Sequence, residues 1–178
     1  MKNIKMSLVA IACVVGMQSF AQGRPSLSIG AELGIPVGDL NLTQKIGIGG
    51  SAKFALPVAT GTDLTLSAGY MSFSGDEYNA PGNLLIKRPA LNFIPIKAGV
   101  RFKVQPASGF YLEPQLGYTS VNTPNSNTTA SGGFTYAANA GYMFSKQVDL
   151  SARYEGVSLK NNVNFNFVGA RLAYNFSL

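Results

Sequence analysis

Between Ala90 and Tyr118 the chain runs ALNFIPIKAGVRFKVQPASGFYLEPQLGY, two alternating runs joined by a Pro/Gly turn. In the first run Ile94, Ile96, Ala98, Val100 and Phe102 share one face, and Lys97, Arg101 and Lys103 share the other. In the second, Phe110, Leu112, Leu116 and Tyr118 oppose Glu113, Gln115 and Thr119. Alternation over about ten residues is the period of a strand that is apolar on one side and polar on the other. Two such strands about a short turn predict a hairpin.

The same rhythm returns in Ser26–Ile35, Ile46–Leu56, Leu64–Phe73, Gly133–Phe144, Val148–Glu155 and Phe165–Leu178, which predicts eight strands in all. Longer polar connections (Pro36–Lys45, Ser74–Pro89, Val121–Gly132 and Gly156–Asn164) alternate with shorter ones at Pro57–Asp63, Gln105–Gly109 and Ser145–Gln147. An even number of strands, with short turns at one rim and long loops at the other, is the pattern of a transmembrane barrel. The expected fold is therefore all-β: an eight-stranded antiparallel up-and-down transmembrane β-barrel with both termini in the periplasm.

Charge fixes which face looks where. Glu32, Lys53, Lys97, Arg101, Lys103, Glu113, Asp149, Arg153, Glu155 and Arg171 all fall opposite the apolar rows. A lysine or arginine facing lipid costs about 2–4 kcal/mol at the bilayer midplane. A one-residue slip would carry a whole strand's charges into lipid, so the apolar rows face outward. Along the strand directions Tyr70, Tyr118, Phe134, Tyr136 and Tyr154 gather near the long-loop rim. Phe102, Phe110, Tyr142, Phe144, Tyr174 and Phe176 gather near the other. Two aromatic belts around an aliphatic band match the two interfaces of a membrane.

The polar rows, rich in Gly, Ser, Thr and Asn, then line the lumen. An eight-stranded barrel has an interior just wide enough for side chains to fill, so a packed polar lumen is expected in place of an open channel. Counting across the hairpin turn puts Arg101 opposite Glu113, and counting from the two ends puts Arg171 opposite Glu32. With Lys53, Lys97, Arg153 and Glu155 these residues form the candidate lumen charge network, against the plainer expectation of hydrated charges without fixed partners.

Composition narrows the chemistry. The chain has 178 residues, 46% hydrophobic and 12% charged, with one cysteine and no histidine. Lys2 and Lys5, the apolar run Met6–Met17 and Ser19-Phe20-Ala21 describe a secretory signal peptide, expected to be residues 1–21, with the barrel domain over 22–178. Cleavage there would remove Cys13 and leave neither a disulfide nor a thiol site. Without histidine the usual general base near neutral pH is missing. Without His or Cys there is also no ordinary transition-metal site. No catalytic, cofactor-binding or metal-ligating residues are assigned; Asp76 and Glu77 could reach a calcium ion but read more simply as a solvated loop tip. Scattered lysines and arginines without a basic stripe argue against nucleic acid as a partner.

The opening hairpin (NFIPIKAGVRF, then GFYLEPQLGY), YAANAGYMFSKQVDLSARYEG and the closing FVGARLAYNF together resemble the PorT-like group of small Gram-negative outer-membrane barrels. That likeness, to eight-stranded barrels of the OmpA and OmpX kind, implies an outer-membrane location and brings no catalytic motif. Barrels of this kind usually end on an aromatic residue used in assembly; here Leu178 is last and Phe176 stands two before it. The expected protein is a monomeric, non-enzymatic barrel, structural or acting through its long surface loops. Its expected contacts are outer-membrane lipid and the barrel-assembly machinery, with the extracellular ligand or envelope partner unspecified. A narrow solute pore, a histidine-free lipid-active enzyme and a soluble lipocalin-like barrel stand as alternatives.

Overall fold

A computed structural model describes residues 23–80, 84–104, 109–124, 131–159 and 163–178. The expected signal peptide lies outside them, as does the middle of the Val121–Gly132 loop. Eight long strands close into a barrel: β1 (Ser26–Val37), β2 (Gln44–Ala59), β3 (Thr62–Gly75), β6 (Leu91–Lys103), β7 (Phe110–Asn122), β8 (Ser131–Met143), β9 (Val148–Ser158) and β10 (Asn164–Ser177). Each pairs antiparallel with its neighbours, and β1 closes the ring on β10, from Ser26↔Ser177 to Val37↔Asn166. Closure leaves no free edge, the condition for β-structure in lipid, where an unpaired backbone group has no water to bond.

The two short elements were not expected. β4 (Glu77–Ala80) and β5 (Leu84–Lys87) form a separate hairpin within the connection between β3 and β6. A 3₁₀ turn at Gly38–Leu42 follows β1 and seats Leu40 fully buried at the same end. Strands also run past the alternating segments: β1 continues to Val37, β2 starts at Gln44, and only Leu159–Val163 separates β9 from β10. Backbone pairing persists where the side-chain alternation fades, so the difference between the rims rests mainly on the β3–β6 and β7–β8 connections. At the short-turn rim Thr60-Gly61 joins β2 to β3 with Gly61 at φ 75°, a left-handed conformation that glycine adopts without steric cost.

The alternation resolves as the charges required. Ile29, Leu33, Ile48, Ile96, Leu116 and Leu172 are more than half exposed on the outside, while the charged residues between them are buried inside. The two aromatic belts lie on the same outer face, all exposed except the half-buried Tyr142. Pro36, Pro57, Pro95 and Pro114 sit within strands, where they can donate nothing to the ladder, and two of them mark gaps in the pairing. The β3–β6 pairing skips from Ala68↔Ile96 to Met71↔Phe93 around Pro95, and the β6–β7 pairing skips from Gly99↔Gln115 to Phe102↔Leu112 around Pro114.

Candidate functional site

The lumen is built in two layers. Toward the long-loop rim the inward positions of β3, β6, β7, β9 and β10 supply Met71, Phe73, Phe93, Val121, Val157 and Phe167, all buried in one apolar cluster. Phe73 packs edge-on against Phe93 and Phe167, with ring centroids 5.1 and 5.2 Å apart. This corrects the expectation of a polar lumen throughout. The rings share the parity of the charged residues on their own strands, so period-two counting alone places them inside. Charge and small residues mark the lumen rows in the sequence, and rings at the strand ends carry neither mark.

Below this plug lies the charge layer, in two clusters. In the first, Glu113 accepts from Lys53 Nζ at 2.9 Å and Arg101 Nε at 3.1 Å. Thr65 and Gln115 hold its other carboxylate oxygen at 2.9 and 2.6 Å. Lys53 reaches Glu113 across the lumen, from β2 to β7, three strands around the ring. Arg101 also lies over the Tyr111 ring, 4.5 Å from its centroid. The Tyr111 hydroxyl donates to Asp149 Oδ1 at 2.8 Å. Neither Tyr111 nor Asp149 stands in the candidate network read from the sequence. Asp149 shares the charged row of its strand, and Tyr111 shares the parity of Glu113.

In the second cluster Lys97 Nζ donates to Glu155 Oε2. Arg153 Nη2 donates to Glu32 Oε2 at 2.7 Å, and its Nε makes a charge contact with Glu155 Oε2 at 3.1 Å without hydrogen-bond geometry. Glu32 and Arg171 are direct cross-strand partners, yet they stand 3.6 Å apart. Arg171 instead donates to Ser51 Oγ at 2.8 Å and Ser28 Oγ at 3.0 Å, while Ser51 donates to Glu32 at 2.5 Å. The hydroxyls of Ser28 and Ser51 therefore connect the clusters, Ser28 also reaching the Lys53 carbonyl at 3.4 Å. Cross-lumen register decides the true partners: adjacent strands put Arg171 beside Glu32, but Arg153, two strands away, makes the closer contact.

Five cations are buried here, Lys53, Lys97, Arg101, Arg153 and Arg171. They face five buried carboxylates, Glu32, Asp63, Glu113, Asp149 and Glu155. A further pair, Lys103 and Asp63 at 3.0 Å, marks the short-turn mouth. Beyond it a basin of about 510 Å³ opens, edged by Arg24, Lys103 and Lys146. At the other rim Asp76 pairs with Lys45 at 3.1 Å. No group of three metal-ligating side chains comes together among the described residues. Fixed charges inside a closed tube can hold the walls together and bar the passage of solute.

No curated protein sequence matches the chain. Among solved structures it is similar to the attachment invasion locus protein Ail of Yersinia pestis in complex with sucrose octasulfate. That match has a TM-score of 0.60 and 16% identity, over 86% of this chain and 99% of that one. The N-terminal barrel domain of Pseudomonas aeruginosa OprF matches with a TM-score of 0.58 and 19% identity, over 87% and 100% of the two chains. OprG of the same organism matches with a TM-score of 0.51 and 10% identity, over 90% and 99%. At these identities the likenesses speak for the fold. Residues 7–176 match the family model of the outer membrane protein beta-barrel domain, and the chain belongs to that family.

Proposed function

We propose that this protein is a closed, non-enzymatic barrel of the outer membrane, serving as a structural component or through its extracellular surface. One observation carries the reading: the lumen is filled at two successive levels, by the Phe73, Phe93 and Phe167 plug and by the ion-pair layer beneath it. An interior packed in this way leaves contact to the outside of the barrel. The apolar belt meets outer-membrane lipid. The β4–β5 hairpin stands in the β3–β6 connection at the long-loop rim and offers a surface there. The protein works as a monomer, and its one obligatory encounter is with the barrel-assembly machinery during insertion.

Planar-bilayer recording of the folded protein tests this. The expected trace is flat at voltages that open general porins. Stepwise currents that scale with added protein would overturn the reading in favour of a pore. Folding of the sample is checked separately by its gel mobility without boiling.

A further inference from the structure

At the short-turn end the barrel interior widens into the basin of about 510 Å³, a volume within the range of pockets that hold small molecules. Its inner end is the charge layer, where Arg101 lines the basin and is tied to Glu113 at 3.1 Å. Among its described lining residues Asp63 is the one carboxylate, and Lys103 already pairs with it at 3.0 Å. Arg24, just before β1, and Lys146, in the β8–β9 turn, also edge the basin. Neither has an ion-pair partner among the described residues. Two cations therefore stand at one mouth without a compensating charge.

Asn175 adds a neutral donor. It shares the inward parity of Arg171 on β10, is 6% exposed and lines the same basin. Its side-chain nitrogen is buried without a hydrogen-bond partner. A donor left unmade away from water is costly, and the last torsion of asparagine is soft enough to turn it toward the basin. Cations and an amide donor around one opening, with its carboxylate already taken, are the complement of an anion rich in acceptor oxygens. Two uncompensated positive charges match the dianion that a phosphate monoester carries near neutral pH. We propose that this basin binds a phosphate monoester of about sugar-phosphate size, its dianion held by Arg24 and Lys146 and one oxygen accepting from Asn175. The short-turn rim of an outer-membrane barrel faces the periplasm, so the ligand is a periplasmic solute. This goes beyond the closed-barrel reading, and binding in the basin needs no passage through the lumen.

Equilibrium dialysis of the folded protein in uncharged detergent against radiolabelled glucose 6-phosphate tests it. One saturable site is expected, with inorganic phosphate competing and glucose not. Affinity should fall by about tenfold or more in the double variant Arg24→Gln/Lys146→Gln, through the loss of two charge-assisted contacts. It should fall less in Asn175→Ala and stay unchanged in Lys45→Gln, whose cation lies at the opposite rim. Arg24 and Lys146 are exposed, so their exchange leaves the strand packing in place, and gel mobility without boiling checks that each variant is folded. Absence of saturable binding to the wild-type protein would overturn the proposal outright, without recourse to any variant. Competition by glucose, or an affinity indifferent to the double substitution, would do the same. Phosphatidate in the detergent is expected not to compete, since the basin opens inside the barrel wall; competition by it would replace the solute with a lipid headgroup and overturn the proposal as stated.

Discussion

Lys53 and Glu113 are separated by 60 residues and by three strands around the barrel, yet their side chains meet at 2.9 Å with both almost wholly buried. Glu113 also holds Arg101, so one carboxylate ties β2, β6 and β7 together through the lumen. Breaking a buried pair by removing one partner costs about 3–5 kcal/mol, because the other charge is left uncompensated. Glu113→Gln is therefore expected to lower stability by about that amount in urea unfolding of the refolded barrel. Lys53→Met should cost less, since Arg101 still neutralises Glu113. A double-mutant cycle should return a favourable coupling between the two positions, and additive effects would count against the tie.

The strands and their outward faces are legible in the chain because lipid allows only one answer. Charge on the outside is costly, so a row such as Lys97–Gly99–Arg101–Lys103 fixes its own register. Pairing within the lumen is less legible. Adjacent strands are predictable by counting about a turn, which places Arg101 with Glu113. The partners of Lys53 and Arg153 lie two or three strands away, and their meeting depends on barrel stagger, which no local pattern encodes. The aromatic plug was readable by parity, but Phe73, Phe93 and Phe167 sit near strand ends where the alternation of polar neighbours weakens. In the β4–β5 hairpin Tyr78 and Ala80 alternate with Glu77 and Asn79, but each strand is only four residues long, the lower limit at which alternation marks a strand.

Tyr111 lies directly across from Gly141 in the β7–β8 ladder, and a Cβ on Gly141 would overlap its ring. Glycine here gives the tyrosine room to reach Asp149. Gly141→Ala is expected to push the ring away and break that hydrogen bond, destabilising the barrel by more than Tyr111→Phe. The phenylalanine variant keeps the ring and loses one hydrogen bond to a charged group, worth about 1.5–3 kcal/mol. Comparing the two urea midpoints checks the order; equal midpoints would mean that the ring does not depend on the glycine.

Each of the two lumen layers is expected to close the barrel without the other. Truncating the plug in Phe73→Ala, Phe93→Ala or Phe167→Ala is expected to cost about 3–5 kcal/mol each through the cavity left behind. None of the three should conduct, since the Glu113 and Glu155 clusters still span the lumen beneath. Thermal unfolding measures the first effect and planar-bilayer current the second. Channel openings in any one of them would show that the aromatic layer alone shuts the barrel.

Leu116 stands at the centre of β7, more than half exposed on the outer face, and its neighbour Gln115 points inward to Glu113. Leu116→Arg is expected to destabilise the barrel in lipid bilayers by about 2–4 kcal/mol, the cost of a cation at the midplane. Tyr118→Arg, two positions nearer the long-loop rim on the same face, should cost less, because the penalty falls toward about 0–1 kcal/mol at the interface. Urea unfolding in bilayers measures both, and the gradient between them carries more information than either value. In detergent micelles, which deform around a charge, the gradient should flatten. A register displaced by one residue would turn Leu116 and Tyr118 into the lumen. Both arginines would then disturb the ion-pair layer, and the cost would no longer follow depth in the membrane.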